Sequence, residues 1–488
     1  MHFDMSQFDS YREDNRREVK KAKGGLPLSL WETYSAFANC YGGVIILGVK
    51  ENHDGSWNMT GLESASKLKK DFWNVINDKK KVSINLLMDK DVKVYEENGK
   101  VILVIRVPRA KREQKPVYIN GNIFDGTFRR NWEGDYHCDR SEVLAMLRDQ
   151  PEETADMKIL EDMSLDVLHE ETIHAYRNRH IAFRREHVWE RLEDNEYLER
   201  IGAAKISAKD GKLHPTAAGL LMFGEEYKIL YEFPEYFLDY REVLDPTIRW
   251  TDRLQSSSGD WTGNLFDFFF RVYGKLVKDL KIPFKLEGIT RIDDTPVHKA
   301  LREALANCLV NTDFYFQRGI VIRKDVNSIT MENPGNIRTG KEQMLKGGIS
   351  DPRNKALMKM FNLIGIGERA GSCVPDIYSV WKQQGWEPPE VIEEYGPDRT
   401  VLKLSFVKSG DKKAAIKSGD KNRAMKKTEK QMQEILEYMT PDKEYRTAEI
   451  ATNMGIKNSR ARELMKNLVK QGKIKAIGKN KGRKYIRR

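Results

Sequence analysis

Between Ser409 and Lys421 the chain reads Ser-Gly-Asp-Lys-Lys-Ala-Ala-Ile-Lys-Ser-Gly-Asp-Lys, a short internal echo (SGDKK, then SGDKN) with almost no apolar content. Such a segment has nothing to bury, so no hydrophobic core runs through it, and residues 408–427 read as a solvated linker. At 488 residues the chain also exceeds what one core organises, and about three domains are expected. The linker marks a break in charge as well. Residues 408–488 hold 24 Lys+Arg against 9 Asp+Glu, whereas the residues before them hold 60 against 64. All the excess basicity therefore lies in the tail, as expected of a module that meets phosphates, although a solubilising arm would look the same by charge alone.

Beyond the linker, Met432, Ile435, Leu436 and Met439 form a helical stripe within 428–439. A second helix is expected over Thr447–Gly455, with Thr447 as N-cap and Gly455 as stop. A third follows over Ser459–Lys470, with Ala461, Leu464, Met465, Leu468 and Val469 facing inward and Arg460, Arg462, Lys466 and Lys470 outward. Lys473–Ile477, a Gly478–Gly482 turn and Arg483–Arg488 complete a basic hairpin. This is the pattern of a winged helix-turn-helix over 428–488, in which an exposed helix enters a groove and wing cations such as Arg483 and Lys484 ride the backbone. DNA is the commoner target of this shape, RNA remains open, and a purely protein-binding module is the rival.

Hydrophobic residues make up 40% of the chain and charged residues 32%, a globular balance, and no run approaches the ~20 apolar residues of a membrane helix. Met1-His2-Phe3-Asp4 lacks a secretory pattern, and Cys40, Cys138, Cys308 and Cys373 lie far apart. A cytoplasmic location without membrane partners is expected, and a zinc site of paired cysteines is not.

Residues 1–150 read as an α+β domain: an amphipathic helix from Trp31 toward Gly42-Gly43, a buried strand Val44–Val49, a strand pair Val92–Tyr95 and Val101–Val107, and another strand at Pro116–Ile119. Glu18 and Lys20, two apart in an extended segment, point to one face, and Glu51 lies just past a strand end. Alone, these acids are indistinguishable from ordinary surface charge.

The ordered set Glu13-x4-Glu18-Val-Lys20, Ser35-Ala-Phe-Ala-Asn39, Gly42-Gly43, Leu47-Gly48-Val49-Lys-Glu51 and Lys115-Pro-Val-Tyr118 resembles the Schlafen-type AlbA domain. In nuclease members three acids hold a divalent metal and cut RNA, notably tRNA. The resemblance assigns those roles to Glu13, Glu18 and Glu51, with Lys20 as the nearby cation and Mg²⁺ or Mn²⁺ as the ion. Glu51 replaces the more usual Asp, and the Cys/His zinc set of animal Schlafens is missing. Lys111, Arg112, Arg129 and Arg130 are candidate backbone contacts. Animal Schlafens form a clamp from two such lobes; a single lobe here implies a homodimer or larger assembly.

Over 151–407, residues 160–190 read as helical and charged, His214–Gly224 leads into a strand at Tyr236–Arg241, and Val297–Asn311 reads as a core helix with Glu303 and Asn307 on one side. Pro215–Gly224, Arg302-Glu-Ala-Leu-Ala-Asn307, Glu332-Asn-Pro-Gly335, Arg353-Asn354 and Gly371-Ser372 recur in the order of the GHKL-like ATPase domain, an α/β sandwich that commonly follows the AlbA domain. By that resemblance Asn307 would ligate Mg²⁺ on ATP, Glu303 would activate water, Gly335 would lie near the adenine, and Gly371 and Ser372 near the phosphates. Asn311-Thr-Asp-Phe314, Cys373 and Asn336 depart from the family pattern, and no Walker A sequence supports a helicase motor. The expectation is thus an α+β multidomain protein acting as a metal-dependent endoribonuclease in bacterial stress or antiphage defence. A non-catalytic DNA-binding regulator and a nucleotide-gated scaffold are the alternatives.

Overall fold

The computed structural model describes residues 3–488 apart from 246, 279, 281–284, 288–289, 293–294, 368–372, 397, 409–430, 433, 437, 441–442, 457, 471–472, 478–483 and 488. The chain forms two compact units, Met1–Phe406 and Val407–Arg488. Most of the linker expected over 408–427 therefore lies outside the described residues, as do Gly371, Ser372 and Arg483.

The first unit opens with strand β1 (Arg17–Lys20), helix α1 (Ser29–Asn39), β2 (Gly43–Leu47), β3 (Val49–Glu51), β4 (Trp57–Met59) and α2 (Ala65–Ile76). It continues through β5 (Val92–Glu97), β6 (Lys100–Val107), the hairpin β7 (Phe128–Asn131) and β8 (Gly134–His137), and α3 (Arg140–Asp149). Four strands form a sheet in the order β1-β2-β6-β5, with β1 parallel to β2 and the other pairs antiparallel. Every residue of β2 is buried, which is why Val44–Leu47 reads as an unbroken apolar run. Ile45 and Leu47 enter one core with Tyr34, Phe37 and Leu103; Val44 and Ile46 enter a second with Phe8, Tyr11 and Trp57.

Two expectations change here. The strand expected over Val44–Val49 breaks at Gly48, whose φ of +93° turns the chain. Glu51 is consequently the last residue of β3, paired with Trp57, rather than a loop residue. The segment Pro116–Ile119 makes only isolated bridges, because the Asn39 side chain takes over its pairing. Asn39 Nδ2 donates to the carbonyls of Val117 at 2.9 Å and Phe128 at 3.0 Å, and its Oδ1 accepts the Val117 N–H at 2.8 Å. One turn earlier, Ser35 Oγ donates to the Val117 carbonyl at 2.7 Å and accepts the Phe128 N–H at 3.0 Å. Thus Ser35 and Asn39 fix the start of β7.

The rest of this unit comprises α4 (Glu170–Phe183), α5 (Asp194–Ile201), β9 (Ala204–Ile206), β10 (Leu213–Pro215), α6 (Ala217–Phe223) and α7 (Glu226–Glu232). These are followed by β11 (Leu238–Val243), β12 (Asp252–Gln255), α8 (Leu265–Val277), β13 (Lys285–Glu287), β14 (Thr290–Ile292), α9 (Pro296–Val310), β15 (Ile320–Asp325) and β16 (Ser328–Pro334). The unit closes with α10 (Lys341–Lys346), α11 (Lys355–Leu363), α12 (Cys373–Gln383), β17 (Glu390–Glu394) and β18 (Arg399–Ser405). The expected helix over 160–190 is confined to α4, and the strand expected at Tyr236–Arg241 starts two residues later, at Leu238. A six-stranded mixed sheet runs β12-β11-β15-β16-β18-β17, with only β11 and β15 parallel. Leu301, Leu305 and Leu309 of α9 pack with Phe268, Phe269 and Val272 of α8 and with Ile322, Ile329 and Leu404 of the sheet in one core.

Ion pairs join the N-terminal sheet region to the rest of this unit. Arg109 pairs with Glu393 at 3.0 Å, Arg112 with Asp351 at 2.9 Å, Arg148 with Asp313 at 3.0 Å, and Arg353 with Asp149. Burial pushes the Asp398 carboxyl up to about 6 and the neighbouring Lys115 ammonium down to about 8.

The second unit contains helical residues at 431–432, 434–436 and 438, α13 (Thr447–Asn453), α14 (Asn458–Lys470), and the hairpin β19 (Ile474–Ile477) and β20 (Lys484–Arg487). Met432, Ile435, Met439, Ile450, Ala461, Leu464, Met465, Leu468 and Tyr485 form its core, matching the inward stripe read from sequence. A bridge between Tyr445 and Tyr485 adds a third short edge to the hairpin. Thr447 is the first helical residue of α13, not its cap; the Glu449 carboxylate instead accepts the Arg446 N–H at 3.0 Å. Among the described residues no helix is long and apolar enough to cross a membrane.

Asp149→Ala removes the carboxylate paired with the buried Arg353 guanidinium and is expected to cost about 3–5 kcal/mol in denaturant unfolding. Pairing Asp149→Leu with Arg353→Met is expected to recover most of that loss. Equal losses in the single and double variants would show that charge burial is not what the pair contributes.

Candidate active site

Parallel pairing of β1 with β2 sets Glu18 beside Ile45 and Lys20 beside Leu47, and β3 brings Glu51 back toward β1. Glu18 and Lys20 do share a face: Lys20 Nζ lies 2.9 Å from Glu18 Oε1. Glu18 Oε2 is held by Arg130 at 2.9 Å. Glu13 accepts the Val19 N–H at 2.9 Å. Glu51 lies near enough to Glu13 for the two carboxyl groups to act on each other. The structure therefore gathers all four residues expected to be catalytic.

Their electrostatics differ. Burial and the neighbouring Glu18 and Glu51 push Glu13 up to about 7, against the pull of the Val19 N–H and Arg130. Glu51 is raised by burial, then by Glu133 and Glu18. Glu13 and Glu51 are thus a carboxyl pair with too little positive charge around it, while Glu18 has a cation on each oxygen.

Arg130 is a correction to the sequence reading. It was expected to contact nucleic-acid backbone, but its side chain is fully buried. Besides Glu18, it binds Asp135 at 2.9 Å and the carbonyl of Asp14 at 3.0 Å, over the Phe37 ring. Thr33 Oγ1 donates to the other Asp135 oxygen at 2.6 Å. The signal was present: in β7, Arg130 follows Phe128 by two and shares its inward face. Asp135 and Glu133 were not singled out from sequence. Arg129 is likewise engaged, by Glu142 at 3.2 Å, and Arg112 by Asp351 and the carbonyls of residues 149–151. Of the four basic residues expected there, Lys111 is the exposed one.

Carboxylate oxygens are the donors a hard divalent ion prefers, and the raised Glu13–Glu51 pair is what such an ion would relieve. These two residues fit a metal in kind. Glu18 would have to exchange one of its cations to join them, and among the described residues no group of three His, Cys, Asp or Glu side chains is set as a metal cage.

A second candidate site is a cavity of about 160 Å³ between α9, β16, β18 and the chain following β16. Asn307, Asn311, Asn333 and Asn336 give it amides, and Met331, Ile377 and Leu402 give it apolar walls. Asn307 Nδ2 donates to Cys373 Sγ at 2.7 Å, so the cysteine standing at a family glycine is bonded to the expected metal ligand. Glu303 is nearly buried and accepts the Gly367 N–H at 3.2 Å; it does not line the cavity. Gly335, at φ +98°, lies against the Arg353 guanidinium. The one cation among the described lining residues, Arg338, already faces Asp351 and the Pro352 carbonyl. That lining suits a neutral aromatic base and offers little to a polyphosphate.

In the second unit Arg462 and Lys466 are exposed on α14, as expected. Arg460 is partly spent on Glu463 and Gln431, and Lys484 on Glu444.

Residues 10–138 match the family described as Schlafen, AlbA_2. That AlbA_2-type region contains Glu13, Glu18, Lys20, Glu51, Arg130 and Asp135. Residues 144–239 match a domain of unknown function (DUF8451), 318–401 the family described as ATP-dependent DNA helicase recG C-terminal, and 431–485 FaeA-like protein. The DIP2311 protein of Corynebacterium diphtheriae is 15% identical, with 97% of this chain and 95% of that one covered and a TM-score of 0.40. The N-terminal domain of a RecG-related protein from Nitrosomonas europaea is 28% identical over 27% of this chain and 89% of its own, with a TM-score of 0.22. No curated protein matches.

In the folded state Glu13 keeps its proton from about 4.5 up to about 7, a range in which the unfolded chain gives it up. Its contribution to stability is complete below about 4.5 and is lost as pH rises through about 7. Glu13→Gln should therefore gain in melting temperature over wild type as pH rises from about 5 to about 8. A difference that stays constant over that range would show that Glu13 titrates as an ordinary carboxylate.

Proposed function

We propose that this protein is a metal-dependent endonuclease acting on RNA, with the AlbA_2-type region as its catalytic part. The observation that carries the reading is the Glu13–Glu51 carboxyl pair, under-compensated and adjacent to a Glu18 clamped by Lys20 and Arg130. Glu13 and Glu51 would hold Mg²⁺ or Mn²⁺, with Glu18 completing the set by releasing a cation. When bound, such an ion activates water and offsets charge on the scissile phosphate. Lys20, freed from Glu18, is the residue that would meet the phosphate. Arg130 positions Glu18, and Asp135 positions Arg130.

The remaining parts fit around that centre. The second unit, with three helical segments and a β19–β20 hairpin, supports a winged-helix reading, and Arg462 and Lys466 would recruit nucleic acid. The 160 Å³ cavity would take the base of a nucleotide such as ATP, in a GHKL-like arrangement, as a sensing site. A homodimer would supply the second catalytic lobe. A role in stress or antiphage defence agrees with this reading. The double neutralisation of Glu18 favours the rival, a non-catalytic DNA-binding regulator.

The test incubates the full chain with labelled tRNA, single-stranded DNA and duplex DNA, with Mn²⁺, Mg²⁺ or EDTA. Glu13→Ala and Glu51→Ala are expected to abolish metal-dependent cutting while binding persists, and Asp135→Ala to slow it about 10–100-fold. Substrates intact under every metal, with all variants binding alike, would establish the regulator instead.

A further inference from the structure

Two recesses lie side by side on the first unit, separated by the Tyr41 ring. One, of about 410 Å³, runs between α10 and the start of β2 with the end of β6; the other, of about 380 Å³, runs between the β7–β8 turn and the end of β17. Tyr41 and Glu393 line both. Tyr41 is held from each side, with the Arg16 guanidinium 5.6 Å from its ring centre and Tyr395 edge-on at 4.9 Å.

The second recess is lined by Asp14 and Glu394 besides the buried Arg130, but the charge of the first is one-sided. Arg109 and Glu393 satisfy each other, which leaves Arg16, Arg106, Lys341 and Lys346 against Glu342. Arg16 meets Glu342 only loosely, at 3.8 Å, and Lys341 donates to the Val391 carbonyl at 2.6 Å. Arg106 and Lys346 are exposed, and their side chains make no ion pair or hydrogen bond among the described residues. Arg106 is also the lone charge inside the apolar run Val101–Val107 of β6. Cations left exposed in this way along a concave surface form a track for a phosphate backbone.

The second recess adds an aromatic. Trp132, at the β7–β8 turn, is 77% exposed and sits at φ +55°, a conformation that a bulky side chain adopts at a cost. Burial gains nothing from the indole there, yet the turn presents it to the recess. The same recess is lined by Asp14, next to Glu13, and by Arg130, which holds Glu18 at 2.9 Å. The second recess thus lies beside the segment that carries Glu13, although Glu13, Glu18 and Glu51 do not line it.

The geometry points to a binding track for single-stranded nucleic acid, with phosphates on Arg16, Arg106 and Lys346 and a base stacked on Trp132. It feeds the backbone toward Glu13 and Glu51. This deepens the nuclease reading and rests on it for the strand's destination, though not for its binding.

The test measures anisotropy of a labelled single-stranded RNA 20-mer, and of the same strand in a duplex, on the full chain in EDTA, over a salt series, with cleavage in Mn²⁺ run in parallel. The Arg106→Ala/Lys346→Ala variant is expected to flatten the slope of log affinity against log salt by about 1.4, from about 0.7 per phosphate contact. Trp132→Ala is expected to weaken binding about fivefold or more, and Trp132→Phe to restore much of it. Wild-type affinity and slope in both alanine variants, with unchanged melting temperatures, would overturn the track even if cutting persists. Reduced binding with no cutting under any metal would keep the track and remove the nuclease. Loss of affinity for duplex alone would overturn the single-strand assignment.

Discussion

One buried guanidinium holds the candidate centre together. Arg130 reaches Glu18, Asp135 and the Asp14 carbonyl from a side chain with no solvent exposure. An isolated cation at that depth would be prohibitively costly, and the two carboxylates with their shared geometry are what make it tenable. Removing Arg130 would leave Asp135 without its counter-charge and Glu18 with Lys20 alone, and would unfasten the residues preceding β1. Lys20 cannot substitute, since an ammonium lacks the planar fork that reaches several acceptors at once. The order of the acid cluster is thus inherited from a β7 residue more than a hundred positions away in sequence.

The sequence displayed the elements of the fold more clearly than their junctions. The stripe Met432–Met439 and the inward set Ala461–Leu468 pack as read, because helical spacing and burial agree there. Helix α9 is equally legible. What escaped is where a side chain replaces backbone pairing. Pro116–Ile119 looks like a strand because it is apolar and extended, yet Asn39 pairs with it from a helix, and a periodicity argument does not see that contact. Gly48 was visible as a residue but not as the turn that converts one strand into two.

At the site, the acids and Lys20 were readable as a set, since motif order and extended-strand spacing both mark them. The arginines were misjudged for one reason. A basic residue in a loop or short strand looks free until its partner is known: Asp351 lies far along the chain from Arg112, while Glu142 and Asp135 meet Arg129 and Arg130 only once α3 and the β7–β8 hairpin fold back. Arg106 was passed over as part of an apolar strand, although an unpartnered charge in such a strand is the more informative observation.

The seam between the N-terminal sheet and the six-stranded sheet has a further consequence. Glu393 receives both Arg109 and the Ile337 N–H, so a single carboxylate fastens the sheet edge to the chain that borders the 160 Å³ cavity. Arg112 reaches Asp351 on the same border. These are short, geometrically demanding bonds between rigid parts, and they act as rivets more than as a hinge. The AlbA_2-type region is therefore a poor candidate for excision or grafting: cut free, it would expose Arg109 and Arg112 stripped of their partners. Inheritance of the two halves as a block, with their charges changing in concert, is what such a joint demands.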